Sequence, residues 1–295
     1  MSFTPQLHLD FPASVVQPPT ISDFTKRRCR ALRRIDRELS RRNFKAALSL
    51  LRHLRRQPDG LRAFGTAKQV PKKLSSLDEL IINGVDLSYL KPTVDLVTDS
   101  IKSCMQCSLQ EQVSSEGFET DLSDEIKESS YSYEDYHFLC IHHEAGHFLI
   151  GYLLGILPKG YKIPSMTEFW KGRFAAGSVD FAGFDSLESG VHGISNKTLN
   201  NFSCVVLGGL VAEQLQFGCI EGLHSDVDKL DKVLRWLGYS GSQVDDQVRW
   251  AALNTVSILH RHNETRSRLA EAMALGRSIG QCIDTIEKSV VGKEI

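Results

Sequence analysis

The stretch Ser132–Pro158 constrains the chain most, because a long apolar helical pattern there contains two histidines four residues apart. Residues that alternate at spacings of three and four lie on one face of a helix. Both histidines therefore fall on the same stripe as the apolar residues. The members of this stripe are Tyr133, Tyr136, Cys140, His143, His147, Ile150 and Leu154.

His143 to His147 read His-Glu-Ala-Gly-His, which matches the HExxH pattern. Two imidazoles one turn apart can bind one zinc ion through nitrogens at about 2.0–2.1 Å. Glu144 lies beside the metal axis, where its carboxylate can take a proton from a metal-bound water. The motif therefore predicts a zinc site with Glu144 as general base. The alternative is that this short pattern arose by chance and its histidines are ordinary core residues.

A third metal ligand is needed, and two positions are candidates on spacing. The extension HExxHxxGxxH is absent, because Ile150 and Leu153 occupy its Gly and His positions. Glu168 lies about twenty residues after His147, where thermolysin-like sites place a glutamate. The residues before Glu168 include Pro164 and read as loop or strand, so Glu168 is the weaker candidate.

The second candidate emerges from a resemblance. Residues 207–218 read LGGLVAEQLQFG, and residues 221–227 read EGLHSDV. Together with the HEAGH motif, they resemble the peptidase domain of the FtsH-type membrane proteases over about residues 131–295. In that family an aspartate at the position of Asp226 is the third zinc ligand. The resemblance thus implies zinc (Zn²⁺) bound by His143, His147 and Asp226, in a metalloendopeptidase with a protein or peptide substrate.

The chain also departs from this family. Leu210, Gln214 and Ser225 replace its usual Arg, Glu and Asn, and the sequence contains no GxxxxGK[ST] phosphate-binding loop. FtsH-type proteases carry an ATPase domain, so we expect hydrolysis of flexible segments here without an intrinsic motor. The alternative is a non-proteolytic scaffold that binds an FtsH-type membrane protease partner.

The expected fold is mainly α: a helical zinc-metallopeptidase domain with a small β element, preceded by a helical N-terminal domain. The 295 residues are 41% apolar with a net charge of −1, an ordinary soluble composition with room for two domains. The predicted divisions are 1–23, disordered or targeting; 24–112, basic and helical; 113–130, a linker; and 131–295, the peptidase domain.

Within the catalytic half, residues 172–181 alternate loosely and predict a strand near the metal, which could bind a substrate backbone by strand addition or be a plain hairpin strand. Gly208 and Gly209 predict close packing of their helix on the HEAGH helix. This helix should run from a cap at Ser195 or Asn196 to Phe217, with Gly218 ending it. Further helices are predicted at 226–236, 243–262 and 264–288.

Residues 25–56 contain thirteen Lys or Arg and only two acids, interleaved with apolar residues at helical spacing. They predict one or two basic amphipathic helices broken near Arg41–Asn43. The simplest interpretation is a solvated helical hairpin. The alternative is peripheral contact through residues 26–56 with an anionic membrane or an acidic protein. The near-zero net charge argues against a nucleic-acid partner.

Seven cysteines without a disulfide-framework spacing favour a reducing compartment. Cys104 and Cys107 form a lone CxxC that we interpret as two ordinary helix residues. No apolar run is long enough to predict a transmembrane span. The family resemblance and the basic extension favour a chloroplast, with the mitochondrion and the cytosol as alternatives.

Overall fold

A computed structural model describes residues 21–58, 60–72, 81–82, 85–114, 132–165, 177–184, 187, 194–220 and 223–290. The described chain is mainly helical, as expected. Its α-helices are α1 (Ile21–Ser40), α2 (Phe44–Arg55), α3 (Lys91–Ser114), α4 (Tyr133–Leu153), α5 (Asn196–Phe217), α6 (Leu223–Trp236), α7 (Gly241–Arg261), α8 (Asn263–Ala274) and α9 (Ile279–Ser289).

Two small antiparallel sheets accompany the helices within the described residues. Strands β1 (Ile81–Ile82) and β2 (Val85–Asp86) form one pair. Strands β3 (Pro158–Lys162) and β4 (Ser178–Phe181) form the other, and Tyr161 pairs with Val179. The predicted strand at 172–181 is therefore confirmed at its C-terminal end, whereas residues 172–176 lie outside the described part.

Helix ends follow the local chemistry of the sequence. The Ser132 side chain accepts a hydrogen bond from the Asp135 amide at the start of α4, and Ser195 does the same for Thr198 at the start of α5. Gly218 ends α5 in the left-handed conformation, with φ of 74°. These caps confirm the predicted ends of α5.

The centre of the fold is the close packing of α4 on α5. It depends on glycines that face each other: a Cβ on Gly146 would overlap the Gly208 carbonyl oxygen, and a Cβ on Gly208 would lie 3.1 Å from the His147 Cα. Helices α7 and α8 pack around this pair, α7 on α5 and α8 on α4. The prediction that the Gly208–Gly209 pair contacts the HEAGH helix is therefore confirmed.

The N-terminal helices pack against the C-terminal end of the chain. Helix α1 contacts α2 and α9, and α3 contacts α6 and α7. Asp36 of α1 accepts hydrogen bonds from the Ser278 hydroxyl and the Gly280 amide, both at 2.7 Å. Apolar residues of α1, such as Ile35, belong to the same buried cluster as Phe148 of α4. The two predicted domains thus share an apolar core.

A buried carboxylate further connects the two ends of the chain. Glu287 of α9 accepts hydrogen bonds from the amides of Arg62 and Ala63 at 2.6 and 3.0 Å, and from the Tyr152 hydroxyl at 2.6 Å. Tyr152 lies on α4, five residues after His147. This bond network fixes the connector after α2 against the helix that carries the histidines.

Two predicted helices differ from the structure. The helix expected from Asp226 begins at Leu223, so Asp226 lies in its first turn. The helix expected at 264–288 is two helices, because the chain turns at Gly276, whose φ is 63°. Positive φ suits glycine and ends α8 there. Helix α8 begins at Asn263, one residue before the predicted start, and its N-cap residue is His262.

Several predictions fall outside the described residues: the N-terminal segment up to residue 20, the linker from residue 115 to 130, and Glu168. In the described part, no helix is both long and apolar enough to cross a membrane.

Candidate metal centre

The structure brings the three predicted ligands together. His143 and His147 lie one turn apart on α4, and Asp226 comes from the first turn of α6. The Asp226 Oδ2 atom is 3.0 Å from Nε2 of His143 and 2.9 Å from Nε2 of His147, and the two Nε2 atoms are 2.9 Å apart. One oxygen and two nitrogens therefore converge on one point.

This triangle has nearly the size that zinc requires. Ligand bonds of about 2.0–2.1 Å in a tetrahedron place ligand atoms about 3.3 Å apart. The three separations in the protein are shorter than this by a few tenths of an ångström, a difference that small side-chain rotations can supply. Two imidazoles and one carboxylate also suit zinc chemically, so the site fits the predicted ion.

The outer nitrogens of both histidines are held by hydrogen bonds. Nδ1 of His143 lies 2.6 Å from Glu213 Oε1, and Nδ1 of His147 lies 2.7 Å from the Val205 carbonyl oxygen. A carboxylate or carbonyl can only accept, so each Nδ1 carries the proton. Each Nε2 can then present its lone pair to a metal, the arrangement found around zinc-binding histidines.

Glu213 is a functional residue to which the sequence analysis gave no role. It is fully buried on α5, and its Oε1 atom lies 2.6 Å from Nδ1 of His143. A charged residue in an otherwise apolar helix is rarely buried without a partner. That isolation within residues 202–213 was the signal that could have identified it.

Charge coupling within the site shifts two pKa values in opposite directions. Burial would lower the pKa of His143, but hydrogen bonds to Asp226 and Glu213 outweigh it and raise the pKa to about 10. Burial would raise the pKa of Asp226, but attraction to His147 and the hydrogen bonds to both histidines hold it well below its usual range. The metal-free site therefore retains a proton on His143 that a metal ion must displace.

Asp226 divides its two oxygens between different partners. Oδ2 faces the histidines, whereas Oδ1 lies 2.9 Å from Nζ of Lys229, one turn further along α6. The lysine is largely exposed, so this ion pair contributes little stability. Its effect is to orient the carboxylate so that one oxygen points at the metal position.

The Glu144 side chain lies in the same cleft as His143, His147 and Asp226. Its side chain is 4% exposed, and its Oε2 atom is buried without a hydrogen-bond partner among the described residues. Its carboxylate packs against Gly177, where a Cβ would lie 2.6 Å from Oε1. Burial raises the pKa of Glu144, although the two histidines oppose this. A buried, unpartnered carboxylate is costly unless a ligand or a reaction uses it.

A cleft of about 460 Å³ opens over these residues. Strand β4 forms one wall, and among the described residues only one of its edges is paired, with β3. Phe181, Phe184 and Phe202 give the cleft an apolar side, and Lys159 contributes a cation at its rim. A cleft with an apolar wall and a strand edge can accept an extended peptide.

A buried arginine of α8 connects helix α5 to His142 on helix α4 by hydrogen bonds. Arg266 of α8 is fully buried and donates to the Ala212 carbonyl at 3.3 Å and to Gln216 at 2.9 Å, both on α5. It also contacts Nδ1 of His142 at 3.2 Å, and burial lowers the His142 pKa to about 4. His142 is therefore a neutral hydrogen-bond acceptor and is not among the residues that converge on the candidate metal position.

Comparison of the chain with protein-family models, curated proteins and solved structures finds no match. The resemblance to FtsH-type peptidases thus stays a prediction from the sequence motifs alone.

The remaining sequence candidates are Glu168 and the Cys104–Cys107 pair. Glu168 lies outside the described residues. Cys104 and Cys107 lie on α3, the first buried and the second exposed, and neither forms a disulfide. Neither cysteine lines the cleft.

Proposed function

We propose that this chain is a zinc-dependent metalloendopeptidase that hydrolyses flexible polypeptide segments. The observation that carries the proposal is the convergence of His143, His147 and Asp226 within 3.0 Å of one another, with the unpartnered carboxylate of Glu144 beside them. A core histidine pair would need neither the aspartate nor a buried carboxylate without a partner.

Each residue of the site has a separate role in the proposed peptide hydrolysis. When bound, zinc lowers the pKa of a coordinated water and polarises a carbonyl group. Glu144 accepts the proton of the attacking water and delivers it to the leaving nitrogen. Glu213 and the Val205 carbonyl keep the two histidines oriented throughout.

Substrate binding follows from the cleft. The edge of β4 that no described strand occupies can pair with an extended backbone, which recognises peptide geometry more than sequence. The three phenylalanines of the cleft favour an apolar side chain near the scissile bond. Folded domains present no extended backbone, so unfolded or flexible segments are the expected substrates.

Metal analysis combined with digestion tests the proposal. The purified chain should bind one zinc ion and cleave casein or a peptide library, and a chelator should abolish cleavage until zinc is restored. His143→Ala, His147→Ala and Asp226→Ala should each lose the metal, whereas Glu168→Ala should retain it.

Two results would contradict the proposal. Metal loss in Glu168→Ala with retention in Asp226→Ala would mean that the third ligand is wrongly assigned. A chain that binds zinc but cleaves neither casein nor any library peptide would favour the scaffold alternative.

A further inference from the structure

The surface of the α1–α2 hairpin is strongly cationic. We define the basic hairpin as residues 26–56, which contain thirteen Lys or Arg and two acids, a net charge of +11. The whole chain has a net charge of −1, so the remainder carries −12. Twelve of the thirteen cations are exposed: Lys26, Arg27, Arg30, Arg33, Arg34, Arg37, Arg41, Arg42, Lys45, Arg52, Arg55 and Arg56.

The two acids of the hairpin do not neutralise this surface. Asp36 is half-buried and bonded to the Ser278 hydroxyl and the Gly280 amide on the far side of α1. Glu38 bonds to Asn43 within the turn, and its ion pair with Arg41 is long, at 3.6 Å. The exposed face of the hairpin is therefore almost purely positive.

The apolar faces of both helices are already occupied inside the protein. Ile35 on α1 and Leu51 on α2 are fully buried, and Leu32, Leu39 and Leu54 are nearly so. Phe44 and Leu48 are half-buried and pack against the same core. No large exposed apolar residue of the described chain lies in the hairpin. The hairpin thus has no free apolar stripe to insert into lipid, and any contact must be made by charge alone.

The chemistry of the cations indicates phosphate as the partner group. Ten of the twelve exposed cations are arginines, whose planar guanidinium groups bind phosphate oxygens in pairs. A nucleic-acid partner fits less well, because the chain has a pI near 6.8 and the hairpin exposes no large aromatic ring for base stacking. Phosphate groups spread over a flat anionic surface remain.

We propose that the basic hairpin binds the phosphate groups of an anionic lipid membrane as a peripheral, purely electrostatic contact. The acidic remainder of the chain is repelled by the same surface, so the protein is oriented with the hairpin toward the membrane. Lys159, whose Nζ lies 5.4 Å above the Phe44 ring of α2, also lines the cleft. If the proposed proteolysis holds, the cleft is thereby kept close to membrane-bound segments.

Vesicle sedimentation with the full-length chain tests the proposal without using enzymatic activity. The protein should bind vesicles of phosphatidylcholine and phosphatidylglycerol in equal parts, should not bind phosphatidylcholine alone, and should dissociate as salt rises. Each contacting cation contributes about fivefold in affinity. The combined variant of Arg27, Arg30, Arg34 and Arg37 to Gln, along one stripe of α1, should bind more than about 100-fold more weakly.

A matched control separates the surface from net charge. Changing the exposed Lys197, Lys232, Arg249 and Arg261 to Gln removes the same number of cations far along the chain and should leave vesicle binding within about twofold. Equal losses in the two variants, salt-independent binding, or tight binding of duplex DNA or single-stranded RNA without vesicle binding would each overturn the proposal. Unchanged circular dichroism in the hairpin variant confirms that loss of binding is not loss of fold.

Discussion

Gly209→Ala places one methyl group against the metal-binding edge of His143. The added Cβ would overlap Nε2, Cε1 and Cδ2 of that ring, so the imidazole must leave its position. Alanine is about 1 kcal/mol more favourable than glycine within a helix, which partly offsets the overpacking of about 1–3 kcal/mol. We therefore expect a fold of nearly unchanged stability whose zinc affinity falls by more than about 100-fold, because loss of a direct ligand exceeds the loss from an outer contact.

Two other glycine substitutions serve as matched comparisons. Gly208→Ala points its Cβ at backbone atoms of Gly146 and at the His147 Cα, which cannot rotate away, so this variant should lose stability as α4 and α5 separate. Gly241→Ala at the start of α7 meets nothing within 4 Å, so it should leave zinc affinity unchanged and raise stability by at most about 1 kcal/mol.

The assay is competition for zinc against a chromogenic chelator, together with thermal unfolding followed by circular dichroism. Gly209→Ala should lose zinc with a Tm within a few degrees of the parent, whereas Gly208→Ala should show a clearly lower Tm. If Gly209→Ala binds zinc as tightly as the parent does, His143 is not a ligand in the position that the structure gives it.

Further predictions concern the surroundings of the site. Glu213→Gln should weaken zinc binding by about 10–100-fold in the same competition assay, because the carboxylate that orients His143 is lost; parent-like affinity would exclude that role. Arg266→Met leaves buried acceptors unpaired and should lower the free energy of unfolding by about 2–4 kcal/mol in urea titration, with Arg266→Lys recovering part of it. Zinc binding at neutral pH should release about one proton, since the pKa of His143 is raised to about 10 in the metal-free site. Calorimetry in buffers of different ionisation enthalpy measures this release, and zinc affinity should rise with pH up to about 10. The same shift stabilises the metal-free fold fully below about pH 6.5, and this contribution disappears as the pH rises through about 10. Peptide cleavage should not respond to ATP, because the sequence contains no phosphate-binding loop.

Local sequence signals predicted much of the helical structure because the determinants are short-range. Serine caps, the left-handed Gly218 and the helical spacing around His143 each act within a few residues. The same holds for the break between α1 and α2, where Arg42 adopts a φ of 58°. The split after α8 was missed because Gly276 follows helix-forming residues without a proline or a polar cluster to mark it.

Long-range features of the site could not be read from spacing. Asp226 is 79 residues after His147, and only the family resemblance identified it as a ligand. The bond of Glu213 to His143 depends on how α5 crosses α4, which the facing glycines permit but do not specify. The burial of the hairpin's apolar stripes against α9 and each other likewise required the tertiary structure.

We propose that Glu144 takes the proton of a water bound to a zinc ion at the site of His143, His147 and Asp226. One comparison tests this proposal most directly. Parent and Glu144→Gln proteins, each loaded with zinc and verified by metal analysis, are incubated with the same fluorescence-quenched peptide library. Gln preserves the size of the side chain but cannot accept the proton, so cleavage should fall by about 10²–10⁴-fold while zinc content stays unchanged. Equal cleavage by the two proteins would show that the hydrolysis does not depend on this site.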